Sequence, residues 1–134
     1  MHIVRNEVMP VRSADDVVRV RQVVRQWATE LRFSLVDQTK IVTAASELAR
    51  NTLDHGGGGT VTLEMVHAGA RHGLRLVFED KGPGIADLAL ALTEGYSTGG
   101  GLGLGLSGAR KLSNDFEVTS TVGQGTRVMI ARWK

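Results

Sequence analysis

The sequence of 134 residues contains no cysteine, only two prolines and no long hydrophobic run. The absence of cysteine excludes disulfide bonds, thiolate metal sites and a cysteine nucleophile, so a bound metal would need oxygen or imidazole ligands. No apolar stretch approaches the roughly 18 residues of a membrane span, and the first ten residues lack the apolar core of a signal peptide. We therefore expect a single domain, residues 1–134, in the cytoplasm.

The net charge and the aromatic content are also low. The formal net charge is +2, and the aromatic residues are three Phe, two Trp and one Tyr. Interspersed charges and few stacking side chains argue against nucleic acid as a partner. Arginines are frequent in the first third of the chain, which leaves two interpretations open: a solvated helix face, or a docking face for an acidic partner protein. These arginines are Arg12, Arg19, Arg21, Arg25 and Arg32.

Two long helices are predicted in the first half of the chain. Ser13 and Ser34 are candidate N-caps, and each is followed three residues later by an aspartate, which favours the positive end of a helix. The four glycines 56–59 end the second helix. Apolar residues recur at helical spacing and give each helix one buried stripe. The stripes are Val17, Val20, Val24, Trp27 and Leu31 in the first helix, and Leu35, Ile41, Val42, Ala45, Leu48 and Leu53 in the second.

Strand patterns come in adjacent pairs. Residues 60–67 and 73–80 alternate on either side of a turn that contains glycine, and residues 116–122 and 126–133 do so around a second such turn. Each pair predicts a hairpin.

Three shorter elements complete the pattern. Residues 1–11 predict an edge strand that stops at Pro10, residues 85–92 predict a short helix, and another helix is expected to begin near Leu104. Paired strands between helices favour an α/β (α+β) two-layer sandwich. We expect a mixed, mostly antiparallel sheet with the helices on one face.

The segment "GGGLGLGLSGARKL", residues 99–112, contains six glycines and the string GLGLSG. It does not fit a dinucleotide-binding loop, because no strand precedes it and no acidic residue follows at the required distance. A Walker A loop is also excluded, because no G-K-[ST] sequence follows the glycines. Such glycines still let backbone N–H groups converge on an anion, next to the positive end of a helix. A surface linker remains the alternative, although the alternating leucines favour a segment fastened to the core.

Two further stretches carry candidate chemistry. In "ELARN", Glu47 and Asn51 lie one turn apart on a predicted helix, where the amide oxygen can bind Mg²⁺ beside a nucleotide and the carboxylate can accept a proton. In "EDKGPGI", Asp80 ends a strand and can accept a hydrogen bond from the exocyclic amine of adenine, while Gly82 and Gly84 allow close approach of the backbone. Taken singly, each stretch also fits an ordinary solvated pair or a turn.

Together, the stretches "ELARNTLDHG", "EDKGPGI", "GGGLGLGL" and "GQGT", in this order, resemble the sequence boxes of the GHKL (Bergerat-fold) ATPases. The resemblance covers nearly the whole chain and is greatest to the small kinases of bacterial partner switching. It implies that Asn51 ligates Mg²⁺, that Glu47 is the catalytic base or its organiser, and that Asp80 binds the adenine amine. The other ATP-binding residues that it implies are Gly82, Gly84, Gly101, Leu102, Gly103, Leu104, Gly105 and Thr126.

The function that this resemblance implies is a serine/threonine-protein kinase that uses ATP and Mg²⁺. Its expected substrate is an antagonist protein with a STAS domain, in a stressosome or sigma-factor regulatory pathway, and its expected downstream partner is a phosphatase or a sigma factor. An anti-sigma kinase that binds a sigma factor directly and a non-catalytic ATP-binding interaction module are the alternatives. Neither nucleic acid nor a membrane is among the expected partners.

Overall fold

The secondary structure follows the predicted order of strand, two helices, hairpin, two helices and hairpin. The structure, a computed structural model, describes residues 1–93 and 105–134. Its elements are β1 (His2–Val11), α1 (Ala14–Glu30), α2 (Leu35–Asp54), β2 (Gly59–Ala68), β3 (Arg71–Asp80), α3 (Leu88–Ala91), α4 (Gly105–Lys111), β4 (Asp115–Thr121) and β5 (Gly125–Trp133). The predicted start of the last helix at Leu104 lies outside the described residues.

The strands form one sheet with the order β1-β2-β3-β5-β4. All four pairings between these strands are antiparallel. β1 continues through Pro10, opposite Thr60, and ends at Val11, one residue beyond the predicted stop. A proline is compatible with this strand because β1 is at the edge of the sheet, where one side of the strand has no partner.

Both predicted N-caps are confirmed. The Ser13 hydroxyl accepts a hydrogen bond from the Asp16 N–H at 3.2 Å, and the Ser34 hydroxyl accepts one from the Asp37 N–H at 3.1 Å. These bonds satisfy N–H groups that have no partner within the helix. Ser13 and Ser34 therefore fix the points at which α1 and α2 begin.

The helices cover one face of the sheet, as predicted, and the core lies between the two layers. The α1 stripe is buried from Val17 to Trp27. The prediction for α2 was wrong at Leu35, which is 73% exposed, because the first turn of α2 lies outside the buried stretch that begins at Ile41. The sheet contributes its alternate residues to the same core: Val61, Leu63, Met65, Leu74, Leu76, Phe78, Val128 and Ile130.

The other face of the sheet has no helix among the described residues and is mostly polar. It exposes Glu79 and Arg127, and it carries an ion pair in which the Arg75 Nε lies 2.6 Å from the Glu64 Oε1. None of the helices in residues 1–93 and 105–134 combines the length and the apolar character needed to cross a bilayer.

One half-buried ion pair joins the two layers. The Arg132 Nη2 lies 2.7 Å from the Asp37 Oδ1, and the Arg132 Nη1 donates to the Leu112 carbonyl at 2.9 Å. The hydrogen bond from Arg132 lowers the pKa of Asp37 in the folded protein. The stabilisation from this ionised carboxylate is therefore complete above about pH 4, the ordinary pKa of Asp, and is lost as the pH falls through the lower folded-state pKa.

We expect Asp37→Asn to reduce the free energy of unfolding at pH 7 by about 1 kcal/mol, because a charged partner of Arg132 is removed. The deficit should shrink as the pH falls below about 4, because the carboxylate then binds a proton more readily in the unfolded chain than in the folded protein, where Arg132 lowers its pKa. Urea unfolding at several pH values measures both quantities, and Asp15→Asn on exposed α1 is the matched control. A deficit that is the same at pH 7 and pH 2.5 would contradict this assignment.

Candidate functional site

A row of directly opposed residues crosses one end of the sheet. Val11 on β1 lies opposite Gly59 on β2, Gly59 lies opposite Asp80 on β3, Asp80 lies opposite Thr126 on β5, and Thr126 lies opposite Ser120 on β4. Directly opposed residues point to the same face of a sheet. The fold therefore places Asp80, Thr126 and Ser120 side by side, although they are far apart in the chain.

This row faces the helices. Asp80 follows the buried Phe78 by two residues, and Thr126 precedes the buried Val128 by two, so strand alternation puts both side chains on the covered face. Unlike the core residues, Asp80 and Thr126 are only half-buried. The row is thus the rim of the core, at the point where polar side chains meet solvent.

The end of α2 reaches this rim through a glycine. The Asp80 carboxyl lies against Gly56, where any Cβ would overlap it, and a Cβ on Gly82 would come within 2.7 Å of the Gly56 Cα. The Gly56 N–H in turn donates to the Asn51 carbonyl at 3.2 Å. Two glycines in contact therefore bring the Asn51 turn of the helix next to Asp80.

The loop after β3 is held against the turn between β4 and β5. Gly84 has a φ of +76°, and a Cβ there would lie 2.5 Å from the Thr121 carbonyl oxygen. The Gly123 N–H donates to the Pro83 carbonyl at 2.8 Å. Glycine is required at position 84 because both the left-handed backbone and the close approach exclude a side chain.

Asp80 keeps one carboxylate oxygen available. The Gly82 N–H donates to the Asp80 Oδ1 at 2.9 Å. Within residues 1–93 and 105–134, the Asp80 Oδ2 accepts no hydrogen bond. A fixed carboxylate oxygen at the rim of the core can accept a hydrogen bond from an amine of a bound ligand.

Glu47 and Asn51 lie one turn apart on α2, and both are half-buried. Neither side chain forms a hydrogen bond or ion pair with the part of the chain that the structure describes. α2 also packs against α4, which supplies the buried Leu106 and Ala109. A carboxylate and an amide therefore stand next to each other on one side of α2, and the other described residues leave both without a partner.

The donor set fits Mg²⁺ only as an ion shared with a ligand. Among the described residues, no three His, Asp or Glu side chains are grouped to hold a metal by themselves. Mg²⁺ commonly binds through one or two protein oxygens together with substrate phosphates and water. The Asn51 amide on α2, which has no hydrogen-bond partner in the part of the chain that the structure describes, meets that requirement.

The structure brings together most of the residues proposed from the sequence. Asp80, Gly82, Gly84 and Thr126 meet at the end of the sheet, and Glu47 and Asn51 lie on the adjoining helix. Gly105 is the first residue of α4. The predicted site residues Gly101, Leu102, Gly103 and Leu104 lie outside the described residues.

Sequence reasoning missed three residues of this region. Gly56 and Gly125 stand in the stretches that resemble the GHKL boxes but were given no site role beyond a helix stop and a turn, and Ser120 was not singled out. Gly125 has a φ of +127°, and a Cβ there would overlap the Asp80 carbonyl oxygen. For Ser120 the available signal was the closing hairpin, because its register puts Ser120 opposite Thr126.

Comparison with known proteins identifies the class to which this fold and site belong. Residues 36–134 match the family described as histidine kinase-, DNA gyrase B- and HSP90-like ATPases, and the chain belongs to this family. It is 43% identical over 118 residues to the serine/threonine-protein kinase RsbT of Bacillus subtilis (strain 168). That similarity covers 88% of this chain and 89% of RsbT. The GHKL resemblance of the sequence is thereby confirmed.

Solved structures share the fold. The RsbU and RsbW domains of Rv1364c from Mycobacterium tuberculosis give a TM-score of 0.65 at 18% identity, over 98% of this chain and 33% of that chain. The histidine kinase domain of the blue-light-activated histidine kinase from Erythrobacter litoralis gives 0.53 at 22% identity, over 92% and 60%. This chain thus spans only part of either protein. The predicted two-layer α/β fold is confirmed.

Proposed function

We propose that the protein uses Mg²⁺ATP to phosphorylate a serine or threonine of an antagonist protein with a STAS domain, and that phosphorylation exchanges its binding partners. The chain is a GHKL-type serine/threonine-protein kinase, as its similarity to RsbT indicates. The observation that supports the proposed site is that Asp80 at the sheet rim lies next to the Asn51 turn of α2, on which Glu47 and Asn51 form no side-chain hydrogen bond or ion pair with the other described residues.

Adenine recognition is assigned to the row at the end of the sheet. The Asp80 Oδ2 accepts a hydrogen bond from the exocyclic amine, and Thr126 beside it contributes a second polar atom. Gly82 and Gly84 shape the pocket, because side chains at these positions would collide with Gly56 and Thr121. Base recognition at this rim leaves the phosphates to extend along α2.

Phosphate transfer is assigned to Glu47 and Asn51. The Asn51 amide oxygen would hold Mg²⁺, which would supply neutralisation of the phosphate charge. Glu47 accepts the proton of the attacking hydroxyl, a role that suits a half-buried carboxylate that has no ion-pair partner within residues 1–93 and 105–134. The backbone N–H groups of Gly101, Gly103 and Gly105 are proposed to close on the phosphates, with Leu102 and Leu104 between them.

The cognate STAS-domain protein tests this function directly. Incubation with Mg²⁺ and γ-labelled ATP should put label on its serine or threonine, and the phosphorylated form should dissociate from the kinase. Binding of both ATP and the antagonist without transfer of label would contradict the kinase function. If a sigma factor is recovered from native cells as the direct partner, the protein is instead an anti-sigma kinase that binds a sigma factor directly.

We expect Asn51→Ala to remove most of the Mg²⁺ dependence of ATP binding. In the parent, omission of Mg²⁺ should weaken ATP binding by about tenfold or more, because phosphate charge is then uncompensated. In the variant, affinities with and without Mg²⁺ should agree within about twofold of each other. Calorimetry measures both, with Asn6→Ala on the exposed edge of β1 as the matched control. A variant that retains the full Mg²⁺ effect would exclude Asn51 as the ligand.

A further inference from the structure

The Ser120 hydroxyl is the centre of a small hydrogen-bond network behind the proposed adenine pocket. It accepts a hydrogen bond from the Ile85 N–H at 2.7 Å and lies 3.2 Å from the Gly125 carbonyl oxygen, to which it donates. The Thr126 hydroxyl is its third neighbour, with 2.9 Å between the two oxygens. Ser120 thus connects the loop after β3, the start of β5 and Thr126.

The direction of the bond between the two hydroxyls follows from counting hydrogens. A serine hydroxyl has one hydrogen and two lone pairs. Since the hydrogen goes to the Gly125 carbonyl and one lone pair receives the Ile85 N–H, the second lone pair receives the Thr126 hydrogen. All three contacts are satisfied only in this arrangement, which directs the Thr126 proton to the Ser120 oxygen.

We propose that Ser120 is a positioning residue that makes the base end of the pocket an acceptor-only surface and thereby selects a 6-amino purine over a 6-oxo purine. The inference rests on the proposed ATP site. With its proton held by Ser120, Thr126 presents only lone pairs, and the Asp80 carboxylate beside it also only accepts. The two hydrogens of an adenine amine suit two acceptors, whereas the carbonyl oxygen of hypoxanthine or guanine would face both without a donor.

Ser120 also anchors the loop that carries the two pocket glycines. Its bond to the Ile85 N–H fixes the residue directly after Gly84, and the same loop begins at Asp80. Base selectivity and the position of the loop therefore depend on a single hydroxyl. A role in loop position alone would change the affinities for all purine nucleotides together.

Calorimetric titration with ATP and ITP separates these roles, because the two nucleotides differ at position 6 of the base. For Ser120→Ala we expect about tenfold weaker ATP binding and a fall of about tenfold in the preference for ATP over ITP, since the Thr126 proton becomes free to donate. Ser120→Thr, which keeps a hydroxyl, should retain the parental preference for ATP over ITP. Thr119→Ala, on the opposite face of β4, is the control and should change neither quantity.

An unchanged ATP to ITP ratio in a folded Ser120→Ala protein would overturn the inference, even if both affinities fell. If thermal unfolding shows that this variant is not folded at the titration temperature, Ser120→Cys provides the same test at nearly constant volume with a weaker hydrogen-bonding group. Asp80→Asn separates the inference from the proposed site. If Asp80→Asn leaves ATP binding intact, the proposed ATP site is wrong. If Asp80→Asn weakens ATP binding but Ser120→Ala leaves the ATP to ITP ratio unchanged, the site stands and the inference about Ser120 is wrong.

Discussion

Asp80→Asn is expected to weaken ATP binding by about a hundredfold, which corresponds to ~3 kcal/mol. The asparagine oxygen can still accept the hydrogen bond that the Gly82 N–H donates to the Asp80 Oδ1, so the turn at residues 80–82 should survive. The other carboxylate oxygen is replaced by an NH₂ group, which presents hydrogens to the amine of adenine. The change therefore converts attraction at the base into repulsion without altering the shape of the pocket.

Calorimetry or competition with a fluorescent ATP analogue measures this loss. Asp15→Asn, an identical chemical change on the exposed surface of α1, should bind ATP like the parent. Thermal unfolding of both variants in the absence of nucleotide should give midpoints close to that of the parent. An Asp80→Asn protein that binds ATP with parental affinity would show that the adenine does not lie at this end of the sheet.

Glu47→Gln is expected to slow phosphate transfer by about 10²- to 10⁴-fold, the usual contribution of a general base. Glutamine has the same size as glutamate but cannot take the proton of an attacking hydroxyl. Because Glu47 has no ion-pair partner among the described residues, replacing it with a neutral side chain should leave no other charge unpaired and should have little effect on folding. ATP affinity should remain within about threefold of the parent, since the residue acts on the transition state.

Single-turnover transfer from labelled ATP to the antagonist protein measures the rate, and equilibrium titration measures the affinity. Glu7→Gln on the exposed edge strand is the matched control. Equal rates for the Glu47→Gln variant and the parent would remove Glu47 from the chemistry. A large loss of ATP affinity with an unchanged rate at saturation would make it a binding residue instead.

The fold could be predicted because its signals are local. Ser13 and Ser34 mark the starts of α1 and α2, and the apolar stripes identify the buried faces. Strand pairs separated by short turns predict hairpins and, with them, an antiparallel sheet. The error at Leu35 has the same origin, since spacing alone does not tell how far along a helix the neighbouring layer extends.

The site could be predicted only in part, because its assembly is not local. The resemblance to GHKL proteins pointed to Asp80, Asn51 and Glu47. The contact between Gly56 and Asp80 depends on where α2 ends relative to β3, and the bond between the Thr126 and Ser120 hydroxyls depends on strand register. Neither relation is visible in the spacing of residues along the chain, since both follow from elements that meet only in the folded protein.

ATP is proposed to bind at the helix-facing rim of the sheet and the adjoining end of α2, in a site formed by residues 47–59, 80–85 and 120–126. Amide chemical shifts of the ¹⁵N-labelled protein, recorded during titration with Mg²⁺ and a non-hydrolysable ATP analogue, test it most directly. We predict that the largest shift changes among the described residues occur in these three segments and at Gly105, while Glu64 and Arg75 on the opposite face change little. Changes concentrated around Glu64 and Arg75, or no changes at Gly56, Gly82 and Thr126, would contradict it.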